Sequence, residues 1–374
     1  MDIYVFILTI MIIQNIIILA NDNRVKIKIS LNKYVDIVKR INIAHCCLAI
    51  DFFLLFLLAV FRDEAVGTDY RTYISIFETF LDIDYNQITD DYFAKKGEIS
   101  FVLLGYVVKQ IFSDYIYIVC ASYLIILFFV YKFIKKYSLD ILVSGFLFFS
   151  FSFYNMSLNI LREYIAAAII LKSVDYINRD WKRFLLCVLI AMTFHKTAVI
   201  FVIIYPALRY IKDARKACIV LLLLCAIIAM FPNQFISLIG DVANYGSKYT
   251  TAGNEAEIDL KIFVNSILFL MYYFYYKQFN NKDENAGKWL VMSAFTLGLN
   301  FSAFYFHYIN RVFLYFMLPE IVSIPNFINS FNSPRIKLGL KLLLIIMFSA
   351  YYLILIYNTT CYDTVPYTSV VIGI

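Results

Sequence analysis

Charge is scarce in this 374-residue chain. Asp, Glu, Lys and Arg make up 16% of the residues against 62% hydrophobic types, and mean hydropathy is +0.74. An ordinary soluble domain, about a quarter charged, is excluded. Only three histidines, six prolines and eleven glycines occur, so there is neither a His-rich metal tract nor a Pro/Gly-rich linker between two domains. No C-x-x-C pair exists among the seven cysteines. Six (Cys46, Cys47, Cys120, Cys187, Cys218, Cys225) fall in apolar runs and Cys361 in a polar tail, which yields no disulfide framework and no thiolate metal site.

What is present instead is a succession of apolar runs of membrane-spanning length, the mark of a polytopic membrane protein. The net charge of +6 collects in a few short loops, where it acts first as a topogenic signal; a nucleic-acid partner is not expected. Met1–Ala20 begins with Asp2 rather than a basic leader and reads as a retained first span, not a removed signal peptide. The basic segment 21–43 is expected in the cytoplasm, which sends the second span outward and opens an acidic external loop, 62–98. The run 99–112 is too short to cross at about 1.5 Å per residue, so a re-entrant or interfacial helix is expected there. The run Phe184–Leu208 has basic residues at both ends, which requires an even number of crossings and hence two short helices meeting near His195 and Lys196. A second external loop spans 232–260. The expected fold is all-α, a single transmembrane domain over 1–374 with about twelve crossings and both termini outside.

That topology, built from loop charges, carries the unexplained polar residues to the outer face. Asn159 and Arg162 lie one helical turn apart and share a face; Asn310 and Arg311 open a later helix at similar depth. Two arginines there suit bidentate recognition of a diphosphate, whereas pairing of Arg162 with Glu163 or snorkelling to the interface is the bland alternative. His195 reads as a general base, a phosphate-binding cation or an ordinary hydrogen-bonded residue at a helix break; Lys196 and Tyr249 are further candidates for holding substrate. In V-G-T-D-Y-R-T-Y, Tyr70 and Tyr73 are spaced to stack a sugar, and Asp69 or Glu98 is placed to take a proton from a hydroxyl acceptor. Asp51, Lys172 and Glu320 read as buried charges, with pairing between helices as their ordinary role.

In order, V-G-T-D-Y-R-T-Y (66–73), G-E-I-S-F-V-L-L (97–104), N-I-L-R-E-Y-I-A (159–166), F-H-K-T-A (194–198) and Y-I-N-R (308–311) resemble the EpsG branch of the Wzy-like polysaccharide polymerases over nearly the whole chain. One departure is Glu163, where the family tends to have Gln; an acid beside Arg162 either weakens its hold on phosphate or supplies the base. The resemblance implies a plasma-membrane glycosyltransferase for capsule, exopolysaccharide or O-antigen that joins undecaprenyl-diphosphate-linked oligosaccharide repeat units on the outer side of the membrane. It implies no cofactor and no required metal, with Arg162 and Arg311 stabilising the departing lipid diphosphate. Other polysaccharide-assembly proteins are expected partners. Two rival readings remain open: a flippase for lipid-linked sugars, which should show access from both sides and an internal repeat, and a membrane acyltransferase, which should present His195 to the cytoplasm.

Overall fold

The computed structural model describes residues 2–20, 24–32, 35–81, 98–231, 260–302 and 312–373. Its body is helical. The exception among the described residues is an antiparallel hairpin, β1 (Arg24–Asn32) and β2 (Val35–Asn42), in the stretch read as a basic loop.

The helices are α1 (Asp2–Ala20), α2 (Ile43–Val60), α3 (Tyr70–Leu81), α4 (Ile99–Ile111), α5 (Ile116–Tyr137), α6 (Ile141–Ser150), α7 (Phe153–Asn159), α8 (Leu161–Ser173), α9 (Trp181–Phe194), α10 (Ile204–Tyr210), α11 (Ala214–Met230), α12 (Leu260–Phe274), α13 (Tyr276–Asn280), α14 (Ala286–Ser302), α15 (Leu314–Met317), α16 (Glu320–Ser330) and α17 (Pro334–Asn358). Burial sorts them into two rings. From Leu142 to Leu158 every residue is buried, and nearly all of α8, α14 and α16 is too, as expected of helices apolar all round. The surrounding α2, α5, α11 and α17 instead turn large apolar residues outward, among them Phe53, Leu124, Leu223 and Ile346. A soluble protein does not expose such faces; hydrocarbon covers them. Small residues set the close contacts: a Cβ on Gly298 of α14 would lie 2.6 Å from Cys225 Sγ of α11, the intimate approach on which membrane helices rely.

Three described helices, α2, α5 and α17, are long and apolar enough to cross a membrane, and the bent pair α6–α7 makes up to four. The described residues give three or four such spans where about twelve are expected. The run expected to cross from Leu139 to Ser157 bends by 50° at Phe151–Ser152, where Ser152 is left-handed with φ 63°. At the break, side chains satisfy one another and the backbone: Tyr154 donates to Leu55 O at 2.8 Å, Asn155 donates to Thr364 Oγ1 at 2.8 Å and accepts from Tyr352 at 2.8 Å. Irregular backbone is tolerated at depth only where protein supplies such partners. The expected break near His195 is present: α9 ends at Phe194, His195 is extended, and a 3-10 turn (Lys196–Ile203) leads into α10. The 99–112 stretch is the 13-residue α4. Of the expected external loops, 62–81 is described and contains α3, while 82–97 and 232–259 lie outside the described residues.

The tail is a correction. Residues 359–373 were expected as a polar extension; instead they fold back onto the ends of α2 and α7. Tyr367 donates to Leu58 O at 3.0 Å, Ser369 donates to Phe61 O, and Asp63 Oδ1 accepts from Val370 N at 2.9 Å. Cys361 is buried there. Lys172, expected buried, is exposed and paired with Asp175 at 2.6 Å, whereas Asp51 and Glu320 are buried as expected.

Candidate functional site

Three motifs distant in sequence meet at one point. Glu98 stands at the start of α4, Arg162 and Glu163 in the first turn of α8, and His195 at the break after α9. The α4–α9 contact is pinned by Ser100 Oγ and Thr193 Oγ1, 2.6 Å apart, and this fixes Glu98 opposite His195. His195 is itself held by its backbone: its N–H donates to Ala191 O at 3.0 Å and its carbonyl accepts from Ala198 N at 3.1 Å.

Glu98 is engaged through both oxygens. One accepts from an Arg162 Nη; the other lies 2.8 Å from His195 Nδ1. On the far side of the imidazole, Nε2 faces Glu163 Oε2 at 3.7 Å. Glu98, Glu163 and His195 are buried, whereas the Arg162 side chain keeps 20% of its surface exposed, so the guanidinium forms the rim of the cluster. Glu98 thus lies between the Arg162 guanidinium and the His195 ring, with Glu163 on the ring's far side.

The V-G-T-D-Y-R-T-Y motif borders this cluster. Tyr73 and Phe101 lie beneath the Arg162 guanidinium, with centroids at 5.9 and 6.0 Å. Burial pushes the Tyr73 phenol up, opposed by the Arg162 charge and reinforced by Asp69. Asp69 is half-buried at the start of α3, its carbonyl accepting from Tyr73 N at 3.2 Å. Tyr70 is fully buried with Arg62 packed on its ring at 3.9 Å, and burial raises its phenol against the pull of that arginine. Each ring thus has an arginine over it, Arg62 closely on Tyr70 and Arg162 at longer range on Tyr73.

Asn159 is the joint between motifs. It sits where α7 ends, and its amide donates to Tyr362 O of the returning tail. Gly67, at φ +95°, presses against it, since a Cβ there would come within 2.5 Å of Asn159 Oδ1; the G of V-G-T-D-Y is required by this approach. Gly67 N also donates to Asp363 O at 2.8 Å. Lys196 is half-buried beside His195. Arg311, Asn310 and Tyr249 lie outside the described residues. Sequence reasoning left Glu163 open between weakening the hold of Arg162 on phosphate and supplying the base, and did not find Arg62 or the tail. The signal for Arg62 was its position at the end of an apolar run just before the G-T-D-Y motif; for the tail it was the retention of Val365, Tyr367 and Val370 in a nominally polar segment.

The EpsG family matches this chain over residues 45–369, from the start of α2 through the returning tail, and so spans every part of the cluster. The chain belongs to the EpsG family. EpsG is a family associated with Wzy-like polymerases, and the EpsG match together with the lipid-facing helices identifies a membrane protein connected with polysaccharide biosynthesis. No curated protein and no solved structure matches the chain.

Proposed function

We propose that this EpsG protein is a repeat-unit polymerase: it joins oligosaccharides carried on undecaprenyl diphosphate at the outer face of the plasma membrane, for capsule, exopolysaccharide or O-antigen. The observation that carries the reading is the buried Glu98–His195–Glu163 set with Arg162 at its rim. In the reaction, an acceptor hydroxyl oxygen bonds to the donor's anomeric carbon as the bond from that carbon to the lipid diphosphate breaks. The hydroxyl proton passes to the His195–Glu163 pair, and the diphosphate leaves with the electron pair. Glu98, with both oxygens engaged, orients His195 and Arg162 rather than serving as the base. The proton-accepting role accordingly falls to His195 with Glu163, and Asp69 is the alternative base. Arg162, joined by Arg311, stabilises the charge developing on the leaving diphosphate.

The test is to incubate the purified protein with the lipid-linked oligosaccharide of its own cells and separate the products by size. A ladder of repeat lengths supports the polymerase. Unchanged single repeats from folded protein overturn it, and transbilayer movement of the same lipid or acylation of its sugar would then identify the flippase or the acyltransferase.

A further inference from the structure

At the end of α8 away from Arg162, ten residues or about 15 Å along the helix, lies a second polar feature. A cleft of about 570 Å³ opens between the C-terminal ends of α5 and α8, lined by Lys132, Lys135, Lys136, Lys172 and Asp175. Asp175 is saturated: Lys136 and Lys172 each reach it at 2.6 Å, and it also accepts from the Tyr137 hydroxyl. Four lysines against one aspartate leave the cleft at +3 (4 − 1). This is the end that the charge pattern assigns to the cytoplasm.

The character of the wall identifies the ligand. Phe128 and Phe129 line the cleft, with the Lys132 ammonium 5.5 Å from the Phe128 ring centroid. Leu124, Phe128, Lys132 and Lys135 succeed one another at i, i+4, i+8 and i+11, a single stripe along α5. Leu124 and Phe128 are 60% and 55% exposed. The stripe is therefore apolar along the hydrocarbon and basic at its end. A soluble anion would use the lysines and leave the apolar half idle, whereas a molecule with a phosphate joined to an acyl chain matches both halves.

We propose that this cleft binds the headgroup of an anionic phospholipid, with an acyl chain along Leu124 and Phe128. The site is independent of the polymerase reaction and needs only that the helices sit in a bilayer. The test uses the full-length protein in nanodiscs of phosphatidylcholine containing one-fifth phosphatidylglycerol, with retained lipids counted by native mass spectrometry. Lys132→Gln/Lys135→Gln removes two exposed charges that make no contact with Asp175; Lys212→Gln/Lys216→Gln removes two exposed charges elsewhere. At roughly 1 kcal/mol per surface lysine, the first variant should retain phosphatidylglycerol about ten- to thirtyfold less, while the second retains it as the wild type does. Equal losses in both variants, or equal retention of phosphatidylcholine and phosphatidylglycerol by the wild type, would overturn the site. Displacement of the bound lipid by millimolar inorganic phosphate would assign the lysines to a soluble anion and overturn the lipid.

Discussion

Glu98 is the hinge of the candidate site, so its removal should register in stability before activity is considered. Glu98→Ala leaves the Arg162 guanidinium and the His195 imidazole facing each other without their shared carboxylate. Breaking one partner out of a buried ion pair costs about 3–5 kcal/mol. Arg162→Ala should cost less, about 1–2 kcal/mol, because Arg162 is partly exposed and Glu98 keeps its contact with His195. With both removed, the uncompensated charge disappears, so the double variant should be no less stable than Glu98→Ala alone, a coupling of about 1–2 kcal/mol. For a chain of this length, about 3–5 kcal/mol corresponds to a shift on the order of 5 °C in the melting temperature, measurable in detergent by intrinsic fluorescence. Losses that simply add would show that Glu98 and Arg162 do not act on each other, and the site as drawn would fail.

Three more outcomes follow from particular contacts. Gly67→Ala must relieve a 2.5 Å clash with Asn159 Oδ1 and adopt φ +95°, so it should destabilise by about 1–3 kcal/mol and weaken polymer formation, read by melting temperature and product ladder. Asn155→Leu strands the Tyr352 hydroxyl and removes a donor from Thr364 Oγ1, which keeps its bond to Cys361 O, and should cost about 1–3 kcal/mol; an unchanged melting temperature would remove these bonds from the account. Gly298→Ala places a methyl 2.6 Å from Cys225 Sγ and should cost about 1–3 kcal/mol by parting α11 from α14, with partial recovery when Cys225→Ala is added.

The sequence made some parts of this molecule legible and hid others for identifiable reasons. The break at His195 was readable because basic residues flank the run from Phe184 to Leu208 on both sides, and only an even number of crossings accommodates them. The bend at Phe151–Ser152 was not, because the run lacks Pro, its only Gly (Gly145) lies in mid-helix, and the partners at the break come from elsewhere: the Leu55 carbonyl of α2, Tyr352 of α17 and Thr364 of the tail. The partner of Arg162 was legible only in part. Glu163 is adjacent, but consecutive residues on a helix point to different sides; Arg162 turns to Glu98, 64 positions earlier, and Glu163 to His195. Local spacing named the residues of the cluster, and tertiary packing decided which carboxylate met which cation.

The measurement closest to the central claim is the stoichiometry of undecaprenyl diphosphate release during repeat joining, compared between wild type and His195→Ala, both shown to be folded. The account predicts one lipid diphosphate released for each glycosidic bond formed by the wild type, and neither product from the variant. Release without lengthening of the sugar chain, or full-rate polymer formation by His195→Ala, would contradict it.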